Sequence, residues 1–165
     1  MYGRRANEHR DRPPNMSQEN PLRIFVTHCF SENDDYLRVF EFLESSPNFF
    51  YTNCSNPDGM PAGGGPEAIK EELRKQIQLA EIVIVLTSVF EQNRDLLTFQ
   101  MNAAQANDKP LLAMELYGHV ADVPKEIAER CNAVAPWNER MMIDVILREA
   151  RHEATNRWEV VEFKL

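Results

Sequence analysis

The sequence predicts an α/β fold: five parallel strands in the order 2-1-3-4-5, with helices on both faces of the sheet. Three observations carry this. Ile82 to Leu86 (IVIVL) is a continuous apolar run, the mark of a strand buried on both faces. Short apolar runs alternate with segments of helical period along the whole body. The links between them hold breakers such as Pro57, Asp58-Gly59, Pro61 and Gly63-Gly64-Gly65. With five strands wound in this alternation, 2-1-3-4-5 is the commonest order, and its switch point lies between strands one and three.

Each element has its own signal. Leu22 to Thr27 (LRIFVT) reads as strand one. Ser31 can cap the next helix, with Asp34 as the acidic half of a capping box, and Tyr36, Val39, Phe40 and Leu43 form its core stripe. Phe49 to Thr52 reads as a short second strand, and Cys54 to Gly65 as a loop. Pro66 suits the first turn of a helix whose inward face is Ile69, Leu73, Ile77 and Ala80. On its outer face Glu71 and Glu72 precede Lys75 at helical spacing. Ile82 to Leu86 is strand three, Thr87 to Arg94 a polar loop, and Asp95 to Asn107 a helix. Pro110 to Leu116 is strand four, Tyr117 to Val123 a loop, Pro124 to Arg130 a helical turn, and Asn132 to Ala135 strand five. Asn138 caps a last helix that turns Met142, Val145, Ile146 and Ala150 inward. Trp158 to Leu165 (WEVVEFKL) partly alternates, which fits either an edge strand or a docking tail.

Length and composition bound the rest. The 165 residues suffice for one domain, expected over 21–152. Residues 1–20 lack apolar period; their four arginines oppose three acids, so a disordered leader is expected, with a partner-binding arm as the lesser reading. Residues 153–165 form a tail or the extra strand. Apolar residues make up 43% and charged residues 27%, ordinary for a soluble globular protein. The net charge of −8 argues against nucleic acid or anionic membrane and is compatible with a neutral or cationic partner. Cys29, Cys54 and Cys131 are odd in number and widely spaced, with no CxxC, so reduced thiols in a cytoplasmic protein are expected rather than zinc or disulfides.

Function is expected where strand ends meet at the switch point, between the loops His28 to Asn33 and Thr87 to Arg94. His28, Phe30, Ser31, Glu32, Ser88, Phe90 and Glu91 fall there. Glu32 is the best acid of the crevice, and Ser31 reads more naturally as a helix cap than as a ligand contact. Adjacent residues at a strand end point to opposite faces, so His28 and Cys29 are poorly placed as base and nucleophile. A buried Cys29 and a loop His28 are expected instead. Gly63 to Pro66 lacks the lysine and Ser/Thr of a phosphate loop, and Glu67 would repel phosphate. A phosphoacceptor receiver would need an acid ending strand three, where Leu86-Thr87-Ser88 stands. His9, His119 and His152 show no ligand spacing.

The segment RIFVTHCFS (Arg23 to Ser31) with Asp35 to Val39 resembles the opening of bacterial TIR-like domains of the Thoeris type. Thr87 to Phe90 with Asn93 to Gln100 is similar to that family's third strand and following helix. Val134-Ala135-Pro136-Trp137-Asn138 with Ile143 and Ile146 is similar to its closing Trp-helix signature. The likeness spans about residues 22–150. It implies a flavodoxin-like TIR fold in intracellular immune signalling, often against bacteriophage, with homo-oligomers or a partner protein of a defence system. It also implies NAD as a possible substrate, with no separate cofactor. Active members cleave NAD at the nicotinamide–ribose bond with one glutamate on the helix after strand three, in a Trp-x-x-x-Glu context. Here Leu96 stands at the tryptophan position and Gln100 at the glutamate position.

An amide keeps hydrogen bonds and loses charge. Removing one preorganised electrostatic contact costs roughly 3–4 kcal/mol, about 10²–10³ in rate. The expectation is therefore a TIR-like signalling or interaction module that binds a nucleotide or protein partner, with NAD cleavage weak or absent. The alternative is an NAD hydrolase or cyclase with a displaced acid, Glu32 or Glu91. A nucleoside deoxyribosyltransferase is a third reading, resting on fold analogy alone.

Overall fold

The computed structural model describes residues 15–118 and 123–153. His9, His119 and the Trp158–Leu165 segment lie outside the described residues. The sheet has five strands, all parallel, in the order expected. In chain order the elements are β1 Leu22–Val26, α1 Asp34–Glu44, β2 Tyr51–Asn53, α2 Gly65–Leu79, β3 Ile82–Leu86 and α3 Thr87–Gln92. There follow α4 Arg94–Ala106, β4 Leu111–Met114, α5 Lys125–Ala128, β5 Ala133–Ala135 and α6 Glu139–Arg151.

Burial explains the order. Every residue of β3 and β4 is buried, because both strands have neighbours on each side and helices on each face. The edge strands β2 and β5 are only three residues long and largely open. Right-handed crossovers put α1 and α2 on opposite faces, since the chain moves outward from β1 to β2 and then back to β3. α1 packs beside α6, and α2 beside α4, closing the two faces. Among the described residues no helix is long and apolar enough to cross a membrane.

Three local expectations are corrected. Asn33, not Ser31, caps α1: its Oδ1 accepts from the amides of Asp35 (2.8 Å) and Tyr36 (3.1 Å). Phe30 is left-handed at φ 57°, which turns the chain so that Ser31 points to solvent and Asn33 reaches the capping position. The expected loop after β3 starts with a helix, α3, since Val89 has a fully buried niche to fill. Asn93 separates α3 from α4 and caps the latter through Leu96 N–H. β2 begins two residues late, because Phe50 gives β1 only its carbonyl, to Leu22 N–H at 2.9 Å, before regular pairing starts. Pro66 in the first turn of α2 and the Asn138 cap of α6 stand as expected.

Just before β1, the backbone carbonyls of Asn20 and Pro21 are held in a clasp. Arg151, 5% exposed, donates to both Glu81 carboxylate oxygens (2.9 Å each), Asn20 O (3.0 Å) and Pro21 O (2.9 Å). Burial alone would raise the Glu81 carboxyl. The Arg151 hydrogen bond, the Arg23 amide and both arginine charges outweigh it and hold Glu81 below its ordinary value. That stabilisation is complete above pH 4.5 and is lost as pH falls through the lowered value. Arg151→Leu leaves Glu81 with its other partner alone, so urea titration at pH 7 is expected to show a loss of about 3 kcal/mol. The gap from wild type narrows below pH 4.5.

Candidate functional site

The carboxyl ends of β1 and β3 are joined by polar side chains before any ligand is considered. Thr27 Oγ1 accepts from Leu86 N–H (3.0 Å), and Thr87 Oγ1 donates to Met114 O (3.2 Å). Beyond Thr27 the strand ladder stops and the next backbone groups need other partners. Gln100 supplies them. Its Oε1 accepts from His28 N–H (3.1 Å), and its Nε2 donates to His28 O (2.8 Å) and Leu96 O (3.1 Å). One amide side chain thus pairs with both backbone groups of one residue, as a neighbouring strand would. Gln100 is 0% exposed.

The His28 ring continues the network downward. Its Nδ1 accepts from Phe30 N–H (3.2 Å), so Nε2 carries the proton and donates to Gln76 Oε1 (2.9 Å). Gln76 Oε1 also accepts from Asn56 N–H (2.9 Å), while Gln76 Nε2 donates to Asn56 O (3.3 Å) and Glu72 Oε1 (3.2 Å). Gln76 therefore does for the loop after β2 what Gln100 does for the loop after β1. No buried side-chain polar atom lacks a partner among the described residues. The expected placement of His28 and Cys29 is reversed: His28 is 1% exposed, and Cys29 is half-buried with Sγ 3.1 Å from Ser31 Oγ. The ring folds inward against Phe25 and Phe30, because the strand has already ended and pleat alternation no longer applies.

The switch point itself is latched. Asn33 Nδ2 donates to Ser88 Oγ (3.1 Å) and Gln92 Oε1 (2.9 Å), Ser88 Oγ donates to Asn33 Oδ1 (3.3 Å), and Gln92 Nε2 donates to Glu32 O (3.3 Å). What remains open there is a shallow groove of about 610 Å³ along Glu32, Asp35, Arg38, Ser88 and Glu91. A larger depression, about 710 Å³, lies on the other side of β1, between the loops after β1 and β2. Phe30, Ser31, Glu32, Asn53 and Asp58 line it. Beside its floor, Tyr36 Oη lies 2.9 Å from Ser55 Oγ and accepts from Asn53 Nδ2 (3.0 Å), while Ser55 Oγ donates to Asn53 Oδ1.

The candidate residues thus divide. Glu32 lines both depressions, and Phe30 and Ser31 the larger; Ser88 and Glu91 line the groove. Phe90 lies under the Arg94 guanidinium, 4.5 Å from ring centroid to Cζ. His28 and Gln100 lie beneath the surface and reach neither depression. Among the described residues no group of three or more His, Cys, Asp or Glu side chains is arranged to hold a metal. Sequence reasoning missed Gln76, Asn33 and Gln92. Gln76 carried a signal: it is a polar residue on the inward stripe of Leu73 and Ile77. Asn33 and Gln92 carried none, since their pairing spans 59 positions. Compared with known families and curated proteins, the chain matches no family model and no curated protein sequence.

Two outcomes follow. Gln100→Glu places a carboxyl against two backbone carbonyls; thermal and urea unfolding are expected to show a loss of about 3 kcal/mol, with a similar loss in Gln100→Leu. Burial lowers the His28 pKa, against an opposing pull from the Gln76 hydrogen bond. The folded ring stays neutral while the unfolded one takes a proton below pH 6.5, so stability falls on acidification from there. The limiting slope is about 1.4 kcal/mol per pH unit, and His28→Asn flattens the profile between pH 7 and 5.5 in urea titrations.

Proposed function

We propose that this chain is a TIR-like signalling or interaction module of bacterial anti-phage immunity, which binds a nucleotide or protein partner through its carboxyl rim and does not cleave NAD at an appreciable rate. The observation that carries this reading is the position of Gln100. Where the resembled family uses a glutamate on sugar hydroxyls, this amide is 0% exposed and engaged at both ends by the backbone of His28 and Leu96. Charge is absent, and so is access. An ionised glutamate could not replace it without losing the donor that holds His28 O. The residue type fits a clamp and does not fit a reaction centre.

The rim supports a binding role. The two depressions are pre-formed and of ligand size, with polar groups already ordered at their edges. Self-assembly of such modules through the loop after β2 accords with Met60, 57% exposed in that loop.

One observation favours the alternative reading as an NAD hydrolase or cyclase. Glu32 is exposed, lines both depressions and has no ion-pair partner among the described residues. The two readings separate in one experiment. Purified chain is incubated with NAD, and nicotinamide and any cyclic product are followed by mass spectrometry. The expected result is no turnover above the uncatalysed rate, for wild type and for Gln100→Glu alike. Turnover abolished by Glu32→Gln or Glu91→Gln would establish the enzyme instead. Activity gained in Gln100→Glu would show that position 100 reaches a substrate and would overturn the clamp.

A further inference from the structure

We propose that the His28 ring is a proton-operated catch on the rim: a second proton, taken up at Nδ1, removes the acceptor that holds Phe30 and frees the loop after β1, while the loop after β2 stays held. The catch works whatever the rim binds. Both ring nitrogens are engaged, in opposite roles. Nε2 donates to Gln76 Oε1 (2.9 Å), and the same oxygen accepts from Asn56 N–H (2.9 Å) in the loop after β2. Nδ1 accepts from Phe30 N–H (3.2 Å) in the loop after β1. A neutral imidazole has one donor and one acceptor, and an imidazolium has two donors. Charging the ring therefore keeps the Gln76 bond and turns the Phe30 contact into two N–H groups that face each other.

Phe30 depends on that bond. It sits at φ 57°, a left-handed conformation that a residue with a bulky side chain keeps only where its neighbours enforce it. The chain beyond it shapes the rim. Phe30, Ser31 and Glu32 line the larger depression, and Glu32 and Asn33 line the groove. Asn33 also caps α1 through Oδ1 and reaches Ser88 and Gln92 through Nδ2. Return of Phe30 to negative φ redirects the chain at Ser31, so cap, latch and both depressions change together.

The surroundings offer the extra charge no direct partner. Phe25 of β1 and Phe30 of the ring's own loop pack at centroid distances of 5.6 and 4.7 Å. From α1 comes Tyr36 (6.3 Å), whose hydroxyl is tied to Ser55 and Asn53. From α2 comes Gln76 and, one hydrogen bond further, Glu72, whose Oε1 accepts from Gln76 Nε2 (3.2 Å). From α4 the neutral amide of Gln100 meets the backbone of His28. Cys29 turns to Ser31, while Glu32 and Asp58 are exposed in the larger depression, which the ring does not reach. Among the described residues no carboxylate pairs with the ring. Burial lowers the ring's pKa from 6.5, with the Gln76 bond opposing, so the catch is closed at neutral pH and opens below 6.5.

Residue-resolved hydrogen exchange of the full chain, taken beside the nitrogen shifts of the His28 ring from pH 7.5 down to 4.5, tests the catch. Protection of the Phe30 N–H, corrected for the intrinsic rate at each pH, is expected to fall roughly tenfold, the equivalent of one hydrogen bond. Its midpoint coincides with that of the ring. The Asn56 N–H and the β3 amides keep their protection through the same step. In His28→Asn the side-chain oxygen offers Phe30 an acceptor that takes up no proton in this range, and the step disappears. The proposal is overturned by a ring that stays neutral down to pH 4.5, or by Phe30 protection that ignores the ring's titration. Loss of protection at Phe30 and Asn56 together would equally overturn it, since the ring would then be leaving its site rather than exchanging one bond. So would a step that persists in His28→Asn; should that variant not fold, the wild-type outcomes decide alone.

Discussion

The fold depends at its functional end on one interaction: the buried amide of Gln100 paired with both backbone groups of His28. A parallel sheet leaves the last peptide of each strand without a ladder partner. In this chain β1 ends at Val26 while β3 continues to Leu86, so the gap falls at the centre of the sheet. Gln100 fills that gap from α4, with an acceptor for the N–H and a donor for the C=O. The His28 ring is thereby turned under the strand end, where it meets Gln76 and, through it, the backbone of Asn56. Two glutamines on two helices hold the two loops that shape the rim. Neither can be exchanged for its ionised acid, because each uses its amide N–H on a carbonyl.

This architecture relocates the open surface. Doubly wound sheets usually receive ligands at the switch point, here the gap between β1 and β3. Asn33, Ser88 and Gln92 bridge that gap with side-chain hydrogen bonds, and the larger depression opens on the β2 side of β1. The same Asn33 caps α1, which makes the helix start and the latch one device. The rim is negative as well as displaced.

Much of the sheet was legible in the sequence, because buried parallel strands must be apolar throughout. Ile82 to Leu86 could hardly be anything else, and the strand order was read as the commonest one for five strands in this alternation. Pro66 and Asn138 mark helix starts by local chemistry and were readable for that reason. The misreadings have a common cause. Ser31 looked like a cap because the left-handed turn at Phe30 cannot be inferred from a phenylalanine. The segment after Leu86 looked like a loop because its helix is fixed by a tertiary niche for Val89 rather than by period. At the site, position 100 was legible as the place of interest, whereas its role was not. A glutamine in a helix gives no sign that its partners lie 72 residues away.

Whether Gln100 holds the end of β1 closed is reported directly by the His28 amide proton. Hydrogen exchange followed residue by residue should find that proton protected nearly as strongly as those of β3, with protection lost in Gln100→Leu while β3 stays protected. Exchange of the His28 N–H at the rate of an open loop in the wild-type chain would contradict the account, since it would leave the amide of Gln100 free to face a ligand.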